Sequence, residues 1–369
     1  MRITGIRLER LTLPLDPPFP AAWDPVPRRS FAATLVRVET DEGVVGIGSG
    51  DTMDGFEAFA HLFVGTDPLA IARHVRVLET IDFHAGRCWP LEVALWDIAG
   101  QVAGLPVATL LGGASDGLQV YASCGMLLPP AARAESALRL RDEGFRALKL
   151  RVDPRRLEDG FAAVAATRDA VGDSMDIMVD LNQGWRMAGD TTPSLDPVAA
   201  RQIAVRLAGL GVLWLEEPLA GTDLAGLAAL RASAPGIRIA GGEMTRTFDE
   251  LLRATEADAF DVYQPDAVLA AGMSRTRTIA ELALARNRWF TPHTWTNGIG
   301  LLANLHVAAG VGGGPYLEFP YDPPGWTPER RDFMLAEPVR PGPDGRLRVP
   351  AAPGIGITLD EAAVRRYAA

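Results

Sequence analysis

The sequence predicts an α/β protein: a modified (β/α)7β TIM barrel preceded by an N-terminal α+β domain, with the C-terminal tail returning to complete that first domain. Three observations carry the prediction. A chain of 369 residues exceeds the usual single domain, so one large unit with a smaller companion is expected. From about residue 118, short apolar runs alternate with alanine- and arginine-rich amphipathic segments at a period of roughly thirty residues, as stacked β/α units require. Several of these runs end on a charged residue, at the strand ends where barrels carry their functional side chains.

Taken in order, residues 1–117 read as the first domain, 118–335 as the barrel and 336–369 as the returning segment. Residues 15–30 are proline-rich and contain Trp23, which predicts a long loop. Leu35-Val-Arg-Val-Glu-Thr40 and Val44-Val-Gly-Ile-Gly48 flank Asp41-Glu-Gly43, a hairpin pattern with a glycine-supported turn. Residues 48–55 are glycine-rich and polar, and form a second loop. The run from Leu91 to Leu111 has helical apolar spacing and stops at Gly112-Gly113. Barrel strands are expected at 118–123, 146–152, 176–181, 212–216, 238–242, 260–264, 288–292 and 315–319, with helices at 131–143, 156–171, 197–210, 222–233, 247–256, 272–286 and 298–309. In the tail, Ile355-Gly-Ile-Thr-Leu-Asp360 reads as a last strand returning to the first domain. An open flavodoxin-like sheet would need fewer strands and a phosphate loop, which is missing here.

Composition narrows the function. Hydrophobic residues make up 48% of the chain and charged residues 22%, as in a water-soluble protein with a large core. No apolar run reaches membrane-spanning length and the start, MRITGIRLERLTLPL, lacks the apolar block of a signal peptide, so a cytoplasmic location is expected. Cys88 and Cys124 form neither a disulfide framework nor a zinc spacing. A net charge of −10 argues against nucleic acid and anionic membranes as partners. An acidic small-molecule substrate would need local positive charge.

That charge has a single conspicuous source: of 36 basic residues only Lys149 is a lysine. It sits in the strand pattern Arg146-Ala-Leu-Lys-Leu-Arg151, and an ammonium can be tuned where a guanidinium cannot. The following strands deliver Asp180 and Asn182, then Glu216 and Glu217, then Glu243; later strands end near Asp266, at His293 and at Glu318. One acidic strand end commonly caps a helix, but three in succession need another account. Ionised together, Asp180, Glu216 and Glu243 would repel one another strongly, and a hard cation with oxygen ligands relieves this. Cation and ligands would still sum to −1, which Lys149 and Arg151 offset for an anionic substrate. Glu217 alternates away from Glu216 and reads as structural. His61, His74, His84 and His306 read as packed or exposed rings, whereas His293 follows Asp266 by one barrel step, where that carboxylate could fix its tautomer.

In this order the motifs Ala94-Leu-Trp-Asp-Ile-Ala-Gly100, Gly104-Leu-Pro-Val, Leu110-Leu-Gly-Gly113, Lys149-Leu-Arg151, Asp180-Leu-Asn-Gln183, Trp214-Leu-Glu-Glu-Pro218, Gly242-Glu243, Pro265-Asp-Ala267, His293 and Leu317-Glu318 resemble the enolase superfamily, within it the mandelate racemase group, over nearly the whole chain. The resemblance implies that the first domain caps the barrel mouth, through residues 16–30 and 49–58. It implies one Mg²⁺ per subunit (Mn²⁺ as substitute) on Asp180, Glu216 and Glu243, holding a substrate carboxylate, and a homo-oligomer of dimer to octamer size. Lys149 and Glu318 would flank the developing oxyanion, Glu318 as a protonated or proton-sharing donor, and His293–Asp266 would be an acid/base. Where many relatives have a second lysine this chain has Arg151, a poor proton acceptor, which argues against racemisation. Arginine also suits bidentate contact with a second carboxylate. The expected activity is therefore acid-sugar dehydration of an aldonate or aldarate, with lactone cycloisomerisation, epimerisation and a non-catalytic metal-binding barrel as alternatives. Expected substrate contacts are Trp23, Arg28, Arg29, Asn182, Trp185, Arg186 and Trp295.

Overall fold

In the computed structural model, which describes residues 1–234 and 236–369, the chain opens on an antiparallel meander of β1 (Ile3–Phe19), β2 (Arg28–Thr40) and β3 (Val45–Ser49). The loop expected over 15–30 is shorter than that, because β1 continues to Phe19, which pairs with Arg28. Its prolines are tolerated because β1 lies at the sheet edge, where a missing N–H breaks no ladder. Then come α1 (Ile71–Ile81), α2 (Pro90–Ala103) and α3 (Val107–Leu110). Glycine is needed where α2 lies on β3: a Cβ on Gly46 or Gly48 would fall 2.1 Å from Ala94 O or 2.0 Å from Pro90 O. The helix expected over 91–111 is two helices, because Gly104 turns left-handed (φ 67°) and Leu105 N closes back on Gly100 O at 3.0 Å. Val36, Val38, Phe56, Phe63, Leu91, Leu95 and Ile98 belong to the core of this first unit.

The barrel follows as β4 (Gly117–Ser123), α4 (Pro130–Asp142), β5 (Ala147–Arg151), α5 (Leu157–Val171), β6 (Asp176–Asp180), α6 (Pro197–Gly209), β7 (Val212–Glu216) and α7 (Leu224–Ser233). It continues through β8 (Arg238–Gly241), α8 (Phe248–Glu256), β9 (Val262–Tyr263), α9 (Gly272–Ala285), β10 (Trp289–Phe290), α10 (Gly298–Val311) and β11 (Leu317–Pro320). The parallel strands run in the order β11-β4-β5-β6-β7-β8-β9-β10, and at the seam Gly314 N donates to Phe290 O at 2.6 Å. Sequence periodicity places these elements to within a few residues, and β9 and β10 are only two residues long. No helix among the described residues is long and apolar enough to cross a membrane.

The tail crosses back over both units through α11 (Pro328–Arg331), β12 (Arg346–Arg348) and α12 (Glu361–Tyr367). Strand β12 pairs antiparallel with the start of β4. The strand expected at Ile355–Asp360 joins no sheet, because Gly354 and Gly356 adopt positive φ (81° and 75°) and bend the chain out of a pleat. The segment still returns to the first domain, where Gly354 bridges Pro106 and Ile355 N donates to Asp97 Oδ1 at 2.8 Å, and a further contact comes from the chain's end, where Leu11 bridges Ala368 and Ala369 N donates to Arg10 O at 2.9 Å. A second junction holds α2 against α9: Glu92 Oε1 accepts from Ser274 N at 2.9 Å and Ser274 Oγ at 2.5 Å, satisfying amide groups at the start of α9.

His306 lies where α10, α3 and the tail meet, fully buried. Its Nδ1 accepts from Ala108 N at 2.9 Å, which leaves Nε2–H to donate to Ile355 O at 3.1 Å. A proton on Nδ1 would confront the Ala108 N–H, and burial lowers the pKa from 6.5 to about 4. Above 6.5 neither folded nor unfolded state carries this proton. Between 6.5 and about 4 only the unfolded state binds it, so stability falls by about 1.4 kcal/mol per pH unit. Denaturation at pH 7 and pH 5 should therefore show the wild type losing about 2 kcal/mol more than His306→Gln over that interval; equal losses would remove His306 as the source.

Candidate active site

Pleat alternation builds this site in two layers. Tyr121, Ala147, Met178, Trp214, Ala240 and Val262 form a buried apolar layer inside the barrel. Two residues further along their strands, Ser123, Lys149, Asp180 and Glu216 share the same inward face, because side chains repeat every second residue. Glu243 lies just beyond β8, and Glu318 on β11 is in register with Tyr121 on β4.

Asp180, Glu216 and Glu243 are buried, and one carboxylate oxygen from each lies within 4.8 Å of the others. Most of their other oxygens are held. Asn182 N donates to Asp180 Oδ1 at 2.7 Å, Trp185 Nε1 to Glu243 Oε1 at 2.7 Å, and Trp214 Nε1 and Gln264 Nε2 to Glu216 Oε2 at 3.1 and 2.9 Å. Glu243 Oε2 is buried without a hydrogen-bond donor, and Asp180 Oδ2 has ion pairs but no aligned hydrogen bond. Oxygen-only donors with two such atoms fit a hard divalent cation. Burial raises the Glu243 pKa, against the opposing pull of His293.

Two cations share this charge. Lys149 Nζ contacts Glu216 Oε1, lies 2.8 Å from Glu318 Oε1 and 3.5 Å from Asp180 Oδ2, and sits 5.5 Å from the Tyr121 ring centroid. Arg151 pairs with Asp180 and donates to Asn182 Oδ1 and to Cys124 O, each at 3.3 Å. Its guanidinium lies 4.9 Å from the Trp23 ring centroid and 5.9 Å from that of Trp295. Glu318, expected as a protonated or proton-sharing donor, lies 2.8 Å from the Lys149 ammonium. Burial alone would raise its pKa, but Lys149, His293 and Arg151 hold it well below the usual range, and it accepts from Ser123 Oγ and Thr294 N, both at 2.7 Å. Glu217 differs: it is buried at positive φ (46°), and burial beside Glu243 and Glu216 drives its pKa well above the carboxylate range.

His293 faces the triad from β10's end. Its Nδ1 lies 2.9 Å from Asp266 Oδ2, and Nε2 lies 3.7 Å from Glu243 Oε2. Asp266 Oδ1 is pinned by Val268 N at 2.8 Å and Asn304 Nδ2 at 3.0 Å, so this carboxylate fixes the Nδ1–H tautomer and leaves Nε2 toward the site. Burial would lower the His293 pKa, but Glu243, Glu318 and Asp266 outweigh it and raise it to about 9.

Among the expected substrate contacts, Trp23, Asn182, Trp185 and Arg186 line one cavity beside the triad. Trp295 instead caps the centre, with Nε1 donating to Ser123 Oγ at 2.8 Å and its ring 4.8 Å from that of Trp23. Gly125 makes room for these rings, since a Cβ there would come within 2.7 Å of Phe19 and Trp295. Arg28 does not itself line that cavity, but its guanidinium lies 5.8 Å from the Trp23 ring centroid and pairs with Asp24, both of which do, and Arg29 is exposed. Sequence reasoning missed Ser123, Gln264, Thr294 and Asn304. For Ser123 a signal existed, since it stands two residues after Tyr121 at the end of the first barrel strand.

Residues 6–112 match the mandelate racemase / muconate lactonizing enzyme N-terminal domain, and residues 132–363 match the enolase C-terminal domain-like family. The chain is 29% identical to D-galactarolactone cycloisomerase of Agrobacterium fabrum, over 100% of this chain and 99% of that protein. It is likewise 29% identical to L-talarate/galactarate dehydratase of Salmonella typhimurium, over 99% of this chain and 90% of that protein. A racemase structure from Streptomyces coelicolor with bound magnesium superposes with a TM-score of 0.84 at 28% identity, covering 100% of both chains.

Removing Lys149 tests the charge balance. Stripping one partner from a buried ionic cluster costs about 3–5 kcal/mol, so Lys149→Met should unfold at lower denaturant than the wild type without added metal. Saturating Mg²⁺ should then restore more stability to the variant than it adds to the wild type. Equal Mg²⁺ responses would mean that Lys149 and the cation do not share this charge.

Proposed function

This chain belongs to the mandelate racemase and muconate lactonizing enzyme family of the enolase superfamily, and from that premise we propose that it is an Mg²⁺-dependent acid-sugar dehydratase. The observation that carries the proposal is the single His293–Asp266 dyad facing the Asp180–Glu216–Glu243 triad, with Arg151 on the other side of the barrel mouth. Racemisation needs an acceptor on one face of the substrate and a donor on the other, and a guanidinium that stays protonated cannot alternate between them. β-Elimination needs only one mobile proton carrier.

Asp180, Glu216 and Glu243 would hold Mg²⁺, which when bound supplies Lewis-acid polarisation of the substrate carboxylate. Lys149, held between Glu216 and Glu318, stabilises the negative charge that develops as the α-proton leaves. In its neutral form His293 Nε2 takes that proton while Asp266 holds the ring by Nδ1–H, so the pKa of about 9 set by Glu243, Glu318 and Asp266 favours turnover at alkaline pH. The C3–O bond then breaks, and the imidazolium gives its proton to the departing hydroxyl as water. The resulting enol tautomerises to a 2-keto-3-deoxy acid. Ser123 and Thr294 orient Glu318, which in turn fixes the Lys149 ammonium. Trp295 and Trp23 shield the Arg151 side of the centre from water.

A second reading is lactone cycloisomerisation, in which the leaving group is a ring oxygen and the same dyad suffices. Similarity to a galactarolactone cycloisomerase over the full chain favours it. A panel of acid sugars and their lactones with Mg²⁺, read by mass spectrometry, separates the two: dehydration removes one water, whereas cycloisomerisation leaves the mass unchanged. His293→Asn should lower turnover ~10²–10⁴-fold and abolish solvent deuterium incorporation at the α-carbon. Wild-type exchange in that variant would contradict the one-base mechanism, and no turnover anywhere on the panel by a metal-loaded wild type would contradict both readings.

A further inference from the structure

Beside the triad, a cavity of about 550 Å³ opens between the β1–β2 connection and the loops that follow β5 and β6. It shares Arg151, Asn182 and Trp185 with the reaction centre, but neither Lys149 nor His293 lines it. A substrate whose carboxylate lies at the triad would therefore extend its far end into this space. The volume equals that of roughly eighteen waters at about 30 Å³ each. A six-carbon acid would leave much of it empty, because its reacting end lies outside.

The charges on the walls say what that far end is. Three arginines (Arg151, Arg155, Arg186) and three aspartates (Asp24, Asp153, Asp190) line the cavity, so it carries no net charge. Each arginine is already engaged. Arg155 Nε donates to Asp153 Oδ1 at 2.9 Å, and Arg186 Nη2 donates to Gln183 Oε1 and Ser194 Oγ at 2.9 Å, with Asp190 at 4.0 Å. Arg151 is spent at the triad end, against Asp180 and under Trp23. A second carboxylate would lose its hydration and meet no uncommitted cation. The Trp23 and Trp185 rings, with Asn182, Gln183 and Thr192, instead offer flat apolar faces edged by neutral hydrogen-bonding groups, the arrangement that suits a hydroxylated ring.

Resting on the acid-sugar reading above, we propose that the substrate is a monocarboxylate with an uncharged, ring-bearing distal end, a glycosylated or cyclic aldonate, and not a diacid. This narrows the substrate class from aldonates and aldarates to the former. It also separates this chain from the talarate/galactarate dehydratase that it resembles, whose named substrates are diacids, while a lactone, with one free carboxylate and a neutral ring, stays within the class.

Calorimetric titration of the Mg²⁺-loaded wild type with gluconate, glucarate and lactobionate, a glycosyl-hexonate, tests the proposal by binding alone. Lactobionate should bind at least about tenfold more tightly than glucarate, a difference of about 1.4 kcal/mol. Trp23→Ala should remove most of that preference, and Asp190→Asn, on an exposed loop, should raise glucarate affinity by freeing Arg186. Glucarate binding as tightly as lactobionate, or lactobionate failing to bind, would overturn it. Because binding is read separately from turnover, a preference for lactobionate without elimination would sink the dehydratase reading and leave this one standing, whereas turnover of glucarate in preference to lactobionate would do the reverse.

Discussion

Six carboxylates, Asp180, Glu216, Glu217, Glu243, Asp266 and Glu318, converge at one end of the barrel, and none is more than 5% exposed. Two like charges 4 Å apart repel by about 4 kcal/mol at an effective dielectric constant of 20, so the cluster survives only through its cations and protons. Burial pushes Glu217 toward its protonated form; Asp266 and Glu243 face His293; Asp180, Glu216 and Glu318 gather around Lys149 and Arg151. This constraint accounts for the one lysine in a chain otherwise basic through arginine. A compact ammonium can meet Glu216, Glu318 and Asp180 around a single point, whereas a planar guanidinium matches one carboxylate side-on.

The scaffold's part is to make this concentration of charge reproducible. Alternation along β4 to β7 puts a hydrophobic layer beneath and a charged layer above, so each strand contributes one functional side chain at the same height. Around that layer the chain supplies fixed donors: an indole for Glu243, an indole and an amide for Glu216, a backbone N–H and a hydroxyl for Glu318. These orient the carboxylates before any ligand arrives, which is what electrostatic stabilisation of a developing charge requires. The first domain contributes Phe19 and Trp23 to the aromatic cluster above Arg151 and is tied to the barrel through Glu92, so closure of the centre depends on the seam between the two units.

The barrel and its charged residues were legible because both signals are periodic. Strands and helices recur at a fixed interval, and Lys149, Asp180, Glu216 and Glu243 recur with them. What escaped depends on partners that the sequence does not name. Prolines in residues 14–18 look like a loop until β1 is known to be an edge strand, and Ile355–Asp360 alternates like a strand but has no sheet to join. Gly104 sits inside an apolar pattern that reads as one helix over 91–111, and the Leu105–Gly100 closure ends the first helix there. Ser123, Thr294 and Asn304 are small polar residues whose types say little, and their roles come entirely from the carboxylates that they face. The pairing of Arg28 with Asp24 and its place over Trp23 come only with the fold, and the acidity of Glu318 is shifted by neighbours on other strands.

Diffraction from crystals grown with Mn²⁺, using its anomalous signal, tests most directly whether this carboxylate cluster is built around a cation. One peak per chain among Asp180, Glu216 and Glu243 is the result that the charge balance predicts. Saturating Mn²⁺ with no peak there, and with Arg151 still paired to Asp180, would mean that the protein's own cations neutralise the cluster, and would contradict the account.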